Sequence, residues 1–587
     1  MKRWKVADLD DGPVAELARR LSLPLPLARS LATRGLSTPE AADRFLNSRL
    51  SDLGDPFSLP GMELAVDRIW KAIREDQPIV VYGDYDVDGV TSAALMSSVL
   101  THLGARVHRC LPSRMEEGYG LGVEAVARCI AAAKPGLIVT TDCGSGAHEA
   151  VAAARAAGVD VVVTDHHEIE GTVVDAVAVV NPKLGSDESV RMLAGVGVAF
   201  KVCHAVLKKG RSARCKAADL DLRENLDLVA LGTISDMVPL RHENRILARH
   251  GLVQLNKRTR VGLNALAGKA GVEGEMGTYH IGFVLGPRMN AVGRLGHAED
   301  ALELLMTGDA DRADVLAAML DEANRDRKRI ENGIMEAATR SVDAVFDPEH
   351  HFGIVVGDAG WHVGVVGIVA SRLAGKYGRP SVVVAFDEYG MGRGSCRSIE
   401  GFDLLSVLKQ CGEHLTRYGG HEMAAGLELE REAFGRFQVA FRSACAEALK
   451  GRDFSRVLEL DAWVTLPDIL DPQFLELLER MAPFGEGNPE PVWGCRGVQV
   501  LGPPRVVGDK HLKFRVGMGA RQCEAIGFNM ADRLAGFPEG AVDVAFSVRM
   551  NTYLGRSSPQ MQVQDFRAAE GEKKTLDHRP KTLDLVV

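Results

Sequence analysis

The hydrophobic positions of this chain change rhythm near residue 78. Residues 1 to about 70 carry short stretches of helical spacing, broken at Pro24 and Pro26, with a helix start at Ser37-Thr38-Pro39-Glu40. From Pro78 onward, apolar runs of strand length alternate with runs of helical period. The strand-like runs are 79–82, 105–111, 137–141, 159–164 and 176–180, and the helical ones are 91–103, 123–133 and 147–157. Short apolar strands alternating with helices predict an α/β lobe built on a doubly wound parallel sheet. Residues 299–345 hold no Gly or Pro beyond Gly308 and Gly333, and 311–346 reads as one long helix, a connector. A second α/β unit follows, with strands at 352–356 and 381–386, a helix at 367–377 and a closing helix at 431–449. Beyond residue 458 the pattern turns to short strands with spaced glycines, at 498–501, 511–516, 522–528, 542–548 and 560–564. That pattern suggests a small β-barrel.

Candidate chemistry sits where the strands end. The first apolar run stops at Gly83 and gives Asp84, Asp86 and Asp88 on alternate positions. In an extended segment alternate side chains point to one side, so the three carboxylates are expected to converge. The carboxyl edge of a parallel sheet is where ligands bind, and hard divalent cations prefer oxygen ligands. A solvated acidic turn is the plainer reading of this stretch alone. Two more strands change the balance. One runs into Asp142-Cys143-Gly144, the other into Asp165-His166-His167-Glu168. All three ends fall on one edge, and buried charge there is costly without a metal or a paired partner. Asp236, in Gly232-Thr233-Ile234-Ser235-Asp236, would by itself be read as a helix cap. The basic cluster from Lys208 to Lys216 reads as a solvated loop.

Composition narrows the class. With 587 residues, 46% hydrophobic and 25% charged, the chain is expected to be globular with three or four domains. The ten cysteines form no C-x-x-C pair, which argues against a zinc site or a disulfide framework and fits a reducing compartment. No apolar run approaches the ~18 residues of a membrane span, and no apolar signal core follows Met1-Lys2-Arg3-Trp4-Lys5. The expected location is cytoplasmic, with no membrane partner. A net charge of −9 means that any nucleic-acid surface must be local.

The blocks around Gly83–Gly89, Thr141–Gly144, Asp165–His167 and Gly232–Asp236, in that order, closely resemble the DHH phosphoesterase superfamily. Further blocks resemble its RecJ family of bacterial single-strand-specific DNA exonucleases. These are Pro112-Ser113-Arg114 with Glu117–Gly120, Asn181-Pro182, Leu193–Ala199 and Gly286–Arg294. Gly392–Ser398 and Tyr418-Gly419-Gly420-His421 match the DHHA1 domain that accompanies DHH domains. The resemblance spans residues 60–565 and implies two divalent cations, Mn2+ or Mg2+. It implies metal ligands at Asp84, Asp86, Asp88, Asp142, His166 and Asp236, with Asp142 bridging; how the first three divide between the ions stays open. His167 would touch the scissile phosphate or assist proton transfer, beside Asp142 and His166. Arg114, Arg294, Ser395 and Arg397 would contact DNA or its 5′-phosphate, and His421 would face the metals across the cleft. Glycines alternating with Arg and Ser suit phosphate on physical grounds too.

The same resemblance sets the expected domains: 1–70 helical, 71–298 DHH, 299–346 connector helix, 347–452 DHHA1, 453–567 an OB-fold and 568–587 a tail. It places the connector, with Asn324, Arg325 and Arg327, along the DNA path, and the barrel residues Lys513, Arg549 and Tyr553 toward a single strand; Phe514 fits the core better. It implies 5′-to-3′ digestion of single-stranded DNA to mononucleotides in recombination and repair, with single-strand-binding protein and a helicase as partners. Residues 169–174 lack the Leu-Pro expected after the Asp-His-His block. A hydrolase of short oligonucleotides and a non-catalytic DNA-binding scaffold are the rival readings. The barrel speaks against the first and the intact ligand set against the second.

Overall fold

The five apolar runs of the first lobe form one parallel sheet. The computed structural model describes residues 2–112, 120–169, 171–454, 457–553 and 556–569. In it β1 (Ile79–Gly83), β2 (Val107–Cys110), β3 (Leu137–Thr141), β4 (Asp160–Thr164) and β5 (Ala178–Val180) lie in the order β2-β1-β3-β4-β5, all parallel. Every residue of β1 and β3 is buried, which is why their sequences are continuously apolar rather than alternating. Ile79, Val81, Leu137 and Val139 face a core shared with α1 (Val87–His102). Val80, Tyr82, Ile138 and Val163 face the opposite core, with α2 (Val123–Ala133) and α3 (His148–Ala156). The sheet is therefore doubly wound. Its strand order reverses between β1 and β3, the crevice where such folds bind ligands.

Two further helices, α4 (Gly195–Ser212) and α5 (Leu226–Ser235), extend the first core, which later helices enlarge through Leu247, Leu263 and Leu302. Next come α6 (Gly286–Leu295) and the connector α7 (Ala310–Asp343), which is capped by Asp309. The second lobe holds β6 (Ile354–Asp358), α8 (Val366–Tyr377), β7 (Ser381–Phe386), β8 (Met391–Arg397), β9 (Arg417–Gly420), β10 (Ala424–Glu430) and α9 (Phe434–Ala448). Its sheet order is β9-β10-β8-β7-β6, with only β6 and β7 parallel. Ile334, Ala338 and Val342 of α7 bury one apolar stripe against Ile354, Val356 and Val383. Both lobes and the connector form one compact unit, Arg49–Phe454 with Gly485–Gly487.

The other unit comprises Met1–Ser48, Ser455–Phe484 and Asn488–Val587. Its strands β11 (Trp493–Val500), β12 (His511–Met518), β13 (Arg521–Gly527), β14 (Ala541–Tyr553) and β15 (Arg556–Ala568) pair as β11-β14-β15-β13-β12. Pairing of Gln499 with Gly517 and Val500 with Val516 joins β12 back to β11. The five-stranded barrel is closed, so no long edge is left unpaired. Phe514 is 4% exposed, in its core. The first 48 residues, read in sequence within a helical region of their own, share that core through Leu17, Leu27, Leu31 and Phe45. They also supply a strand, Arg3–Val6, that pairs with Val457–Leu460. Three helices of 8 to 11 residues cannot bury a core alone, and the barrel wall completes it. The side chain of Tyr553 and residues 570–587 lie outside the described residues. None of the ten cysteines is in a disulfide, and among the described residues no helix is long and apolar enough to cross a membrane.

Candidate metal centre

β1, β3 and β4 deliver their terminal residues to one edge of the sheet: Asp84, Asp142, and Asp165-His166-His167. The first block does not stay extended, as its alternation had predicted. The Asp86 carboxylate accepts a hydrogen bond from Gly89 N at 3.0 Å and starts α1 at Val87, four residues before the expected position. Asp88 thereby becomes the second residue of a helix and turns away from its neighbours. Its oxygens accept Gly195 N at 2.6 Å and Val196 N at 2.8 Å. It thus caps α4, whose own N-cap residue, Ala194, has no side chain able to do so.

Two groups of possible ligands result, Asp84 with Asp86 and Asp142, and Asp88 with His166 and Asp236. Within each group the ligand atoms lie within 4.8 Å of one another; Asp142, His166 and His167 form a third such set. Asp236 arrives from the C-terminal cap of α5. His166 Nε2 is 3.1 Å from Asp142, 3.7 Å from Asp236 and 4.0 Å from Asp88. Asp142 therefore stands between the first two groups. It takes a left-handed backbone conformation (φ 64) at the strand end, which Asp tolerates better than most residues. Gly195 makes room for it: a Cβ there would lie 2.4 Å from Asp142 Oδ1.

Electrostatics asks for cations. Burial, with the charge of Asp86 behind it, raises the Asp88 pKa to about 7. Burial and then Asp88 raise Asp236 to about 9, and burial with Asp88 and Asp86 pushes Asp142 well up. His166 goes the other way: burial and the charge of His167 lower it to about 4, so the ring is neutral. The ring is hydrogen-bonded to the backbone at Leu193, while Nε2 and Asp142 Oδ1 are buried without hydrogen-bond partners among the described residues. A lone-pair nitrogen aimed at carboxylate oxygens is the donor set of a divalent metal, with the second ring nitrogen fixed by the backbone. The residues fit the two implied ions.

His167 is built for a different task. Its Nδ1 lies 2.7 Å from Asp165 Oδ1, and although burial opposes charge on the ring, that bond and the Asp165 charge raise its pKa to about 9. Against the same opposing effect of burial, His167 and the amides of Ser145 and His167 hold Asp165 below the usual carboxylate range. Asn181 Nδ2 donates to Ser145 Oγ and His167 O, both at 2.9 Å. Asp165 and Asn181 are positioning residues missing from the sequence-derived set, although both stood inside its quoted blocks.

Arg294, Ser395 and Arg397 line one cavity of about 600 Å3, together with Arg372 and Arg393, and none of its described lining residues is acidic. Arg397 Nη1 donates to Ser395 Oγ at 2.9 Å, and Arg294 Nη1 to Gly364 O at 3.0 Å. Converging guanidinium groups in a cavity of this kind suit a phosphate. One helix ties the cavity to the metal centre: α6 carries Arg294 in its last turn, and Asn290 Oδ1 accepts Val87 N at 3.1 Å, at the start of α1. His421 is exposed, and its charge adds to those of Lys183 and Arg191 in lowering the Glu168 pKa, beside the Asp-His-His turn. Arg114 lies outside the described residues. On the connector, Asn324 and Arg327 are buried rather than presented on a free face; Arg327 pairs with Glu331, which also holds Arg372 at 2.7 Å.

Comparison with known proteins gives this arrangement a lineage. The chain is 37% identical over 585 residues to the single-stranded-DNA-specific exonuclease RecJ of Bacillus subtilis, covering 99% of this chain and 72% of that protein. The chain belongs to the RecJ family. Residues 78–233 match the DHH family N-terminal domain, 351–447 the DHHA1 domain and 460–565 the RecJ OB domain. RecJ of Haemophilus influenzae is 36% identical, covering 92% of this chain and 95% of that one. The crystal structure of Thermus thermophilus RecJ with Mn2+ is similar at a TM-score of 0.81 and 31% identity, over 97% of this chain and 80% of that one. The same protein with Mg2+ gives 0.76 and 30%, over 97% and 79%. The barrel of the RecJ match is the closed five-stranded one described above, an OB-fold.

Proposed function

We propose that this chain is a metal-dependent exonuclease that hydrolyses single-stranded DNA from its 5′ end and releases 5′-mononucleotides. The observation that carries this reading is the pair of ligand groups meeting at Asp142, joined through α6 to an arginine-lined cavity. Asp84, Asp86 and Asp142 would hold one divalent cation, and Asp88, Asp142, His166 and Asp236 the other. When bound, two such ions activate a water and stabilise the departing oxygen of a phosphodiester. The imidazolium of His167, kept charged by Asp165, would neutralise a non-bridging oxygen of the scissile phosphate.

Arg294, Ser395 and Arg397 would take the terminal 5′-phosphate, which makes the enzyme read an end rather than an internal bond. Water attacks the phosphorus of the second nucleotide and the bond to the 3′-oxygen of the first breaks. That oxygen leaves with a proton on the mononucleotide, and the remaining strand carries a new 5′-phosphate. Each cut therefore regenerates the group that the cavity binds. Polarity follows from the family resemblance, as does work in the cytoplasm in recombination and repair, beside a helicase and single-strand-binding protein. The OB barrel would hold the strand by stacking and charge.

The test is digestion of a single strand labelled at either end, in Mn2+, Mg2+ or chelator, by wild type and Asp142→Ala. Metal-dependent release of mononucleotides from the 5′ end, lost in the variant, is expected. Binding without cleavage in either metal, or cleavage restricted to very short oligonucleotides, would overturn the reading.

A further inference from the structure

The helix that carries Asn290 and Arg294 begins earlier, at Thr278–His280, and reaches α6 through a π-helical segment, Ile281–Leu285. One face of this lead-in is anchored: Ile281 and Leu285 are fully buried in the catalytic core. The other face presents Tyr279 at 57% and Phe283 at 69% exposure. Their rings are stacked, with centroids 5.4 Å apart and planes 27° from parallel. Two large rings left in water on a rigid segment are an unused binding surface, and π-helical turns recur at functional sites.

The position of the pair decides what it binds. Gly286, one turn beyond Phe283, packs so tightly on Ser235 that a Cβ would lie 2.9 Å from its Oγ, and Ser235 adjoins Asp236. Further along in the same direction, Asn290 is seven residues beyond Phe283, roughly 10 Å at helical rise. The rings thus stand on the helix that runs past one metal-ligand candidate and ends in the arginine cavity. We propose that Tyr279 and Phe283 form a platform on which an unpaired base of the substrate strand stacks, a few nucleotides from the scissile bond. Stacking is indifferent to sequence because every base has a π-face, as an exonuclease requires. It also discriminates: a base inside a duplex has both faces covered, so the platform rewards single strands. This site rests on the proposed function only for the identity of its ligand.

The experiment uses the full chain, with Tyr279→Ala/Phe283→Ala and Phe283→Trp beside wild type. Affinity for 5′-phosphorylated oligonucleotides is read by fluorescence anisotropy in chelator, and KM and kcat in Mn2+. The double variant should bind a long strand and raise its KM roughly tenfold worse, with kcat and melting temperature little changed, and Phe283→Trp should retain wild-type affinity. A series of strands with one abasic nucleotide should show a position that weakens wild type but not the double variant. Equal affinity of wild type and double variant for every strand sinks the platform alone and leaves the rings to a protein partner. A wild type that neither binds nor cuts the strand sinks the function itself.

Discussion

His166 Nε2 and Asp142 Oδ1 face each other at 3.1 Å, both buried and neither hydrogen-bonded among the described residues. A neutral imidazole nitrogen and a carboxylate oxygen present lone pairs to each other, so the pair calls for a cation between them, and without one the raised Asp142 pKa lets a proton take that place. Around it, Asp88 and Asp236 have pKa values near 7 and 9, raised first by burial and then by Asp86 for Asp88 and by Asp88 for Asp236. In the unfolded chain both would titrate near the ordinary 3.8. Between these values the native state binds more protons than the unfolded state, so metal-free stability falls as pH rises from about 4 to 9. Bound Mn2+ removes the repulsion, and its stabilisation should grow over the same range. Melting curves at several pH values, with chelator and with Mn2+, check this; metal-free stability that climbs with pH through that window would contradict it.

Asp165 does its work through His167. Replacing it by Asn keeps the size but removes the charge that raises the His167 pKa to about 9. Burial would then dominate, and the ring should titrate below neutrality. Asp165→Asn is expected to lose activity by roughly 10²-fold or more, with a profile that falls between pH 6 and 8 where wild type stays level. A histidine titration followed by NMR reads the ring directly. An unshifted profile would remove His167 from the charged role.

Gly195 is a second lever on the same centre. A methyl group there would meet Asp142 Oδ1 at 2.4 Å, with Asp142 Cβ and Cγ at 2.7 Å. Gly195→Ala should displace the shared carboxylate, weaken Mn2+ binding by tenfold or so, and lower stability by about 1–3 kcal/mol. Isothermal titration with Mn2+ and urea unfolding measure the two effects. Unchanged metal affinity would show that Asp142 is not shared between the ions.

The arginine cavity makes a prediction about strand ends. Wild type should favour a 5′-phosphorylated strand over a 5′-hydroxyl one, and Arg397→Ala should lose most of that preference. A hydrogen bond to a charged group contributes about 1.5–3 kcal/mol, so KM for the phosphorylated strand should rise roughly tenfold to a hundredfold. Competition between the two strands gives the ratio. A variant that keeps the full preference would place the 5′-phosphate elsewhere.

Some of this site is written locally. Asp142 and Asp165-His166-His167 each follow a predominantly apolar strand, and parallel pairing of β1, β3 and β4 brings strand ends to one edge, so their convergence follows from pattern alone. The Arg-Ser-Gly block of β8 was legible as a cluster of candidate phosphate donors, and Arg393, Ser395 and Arg397 do line one cavity. The partition of the first aspartates was not, because it depends on amides from Gly195 and Val196, more than a hundred residues away, that take both oxygens of Asp88. Arg372 carries no motif of its own, and only the folded second lobe brings it to the cavity beside Arg393. Nothing in the sequence marks Phe283 as exposed, and the burial of Ile281 and Leu285 on the same segment leaves it outward. The N-terminal helices likewise show their apolar faces in sequence but not the barrel that receives them. Sequence by itself determined most of the elements, the lineage and the residue types gathered at the sheet edge, because periodicity and residue type are local properties. How the carboxylates and His166 group, which arginines line one cavity and which rings stay exposed were decided by tertiary structure, since each depends on contacts between segments far apart in the chain.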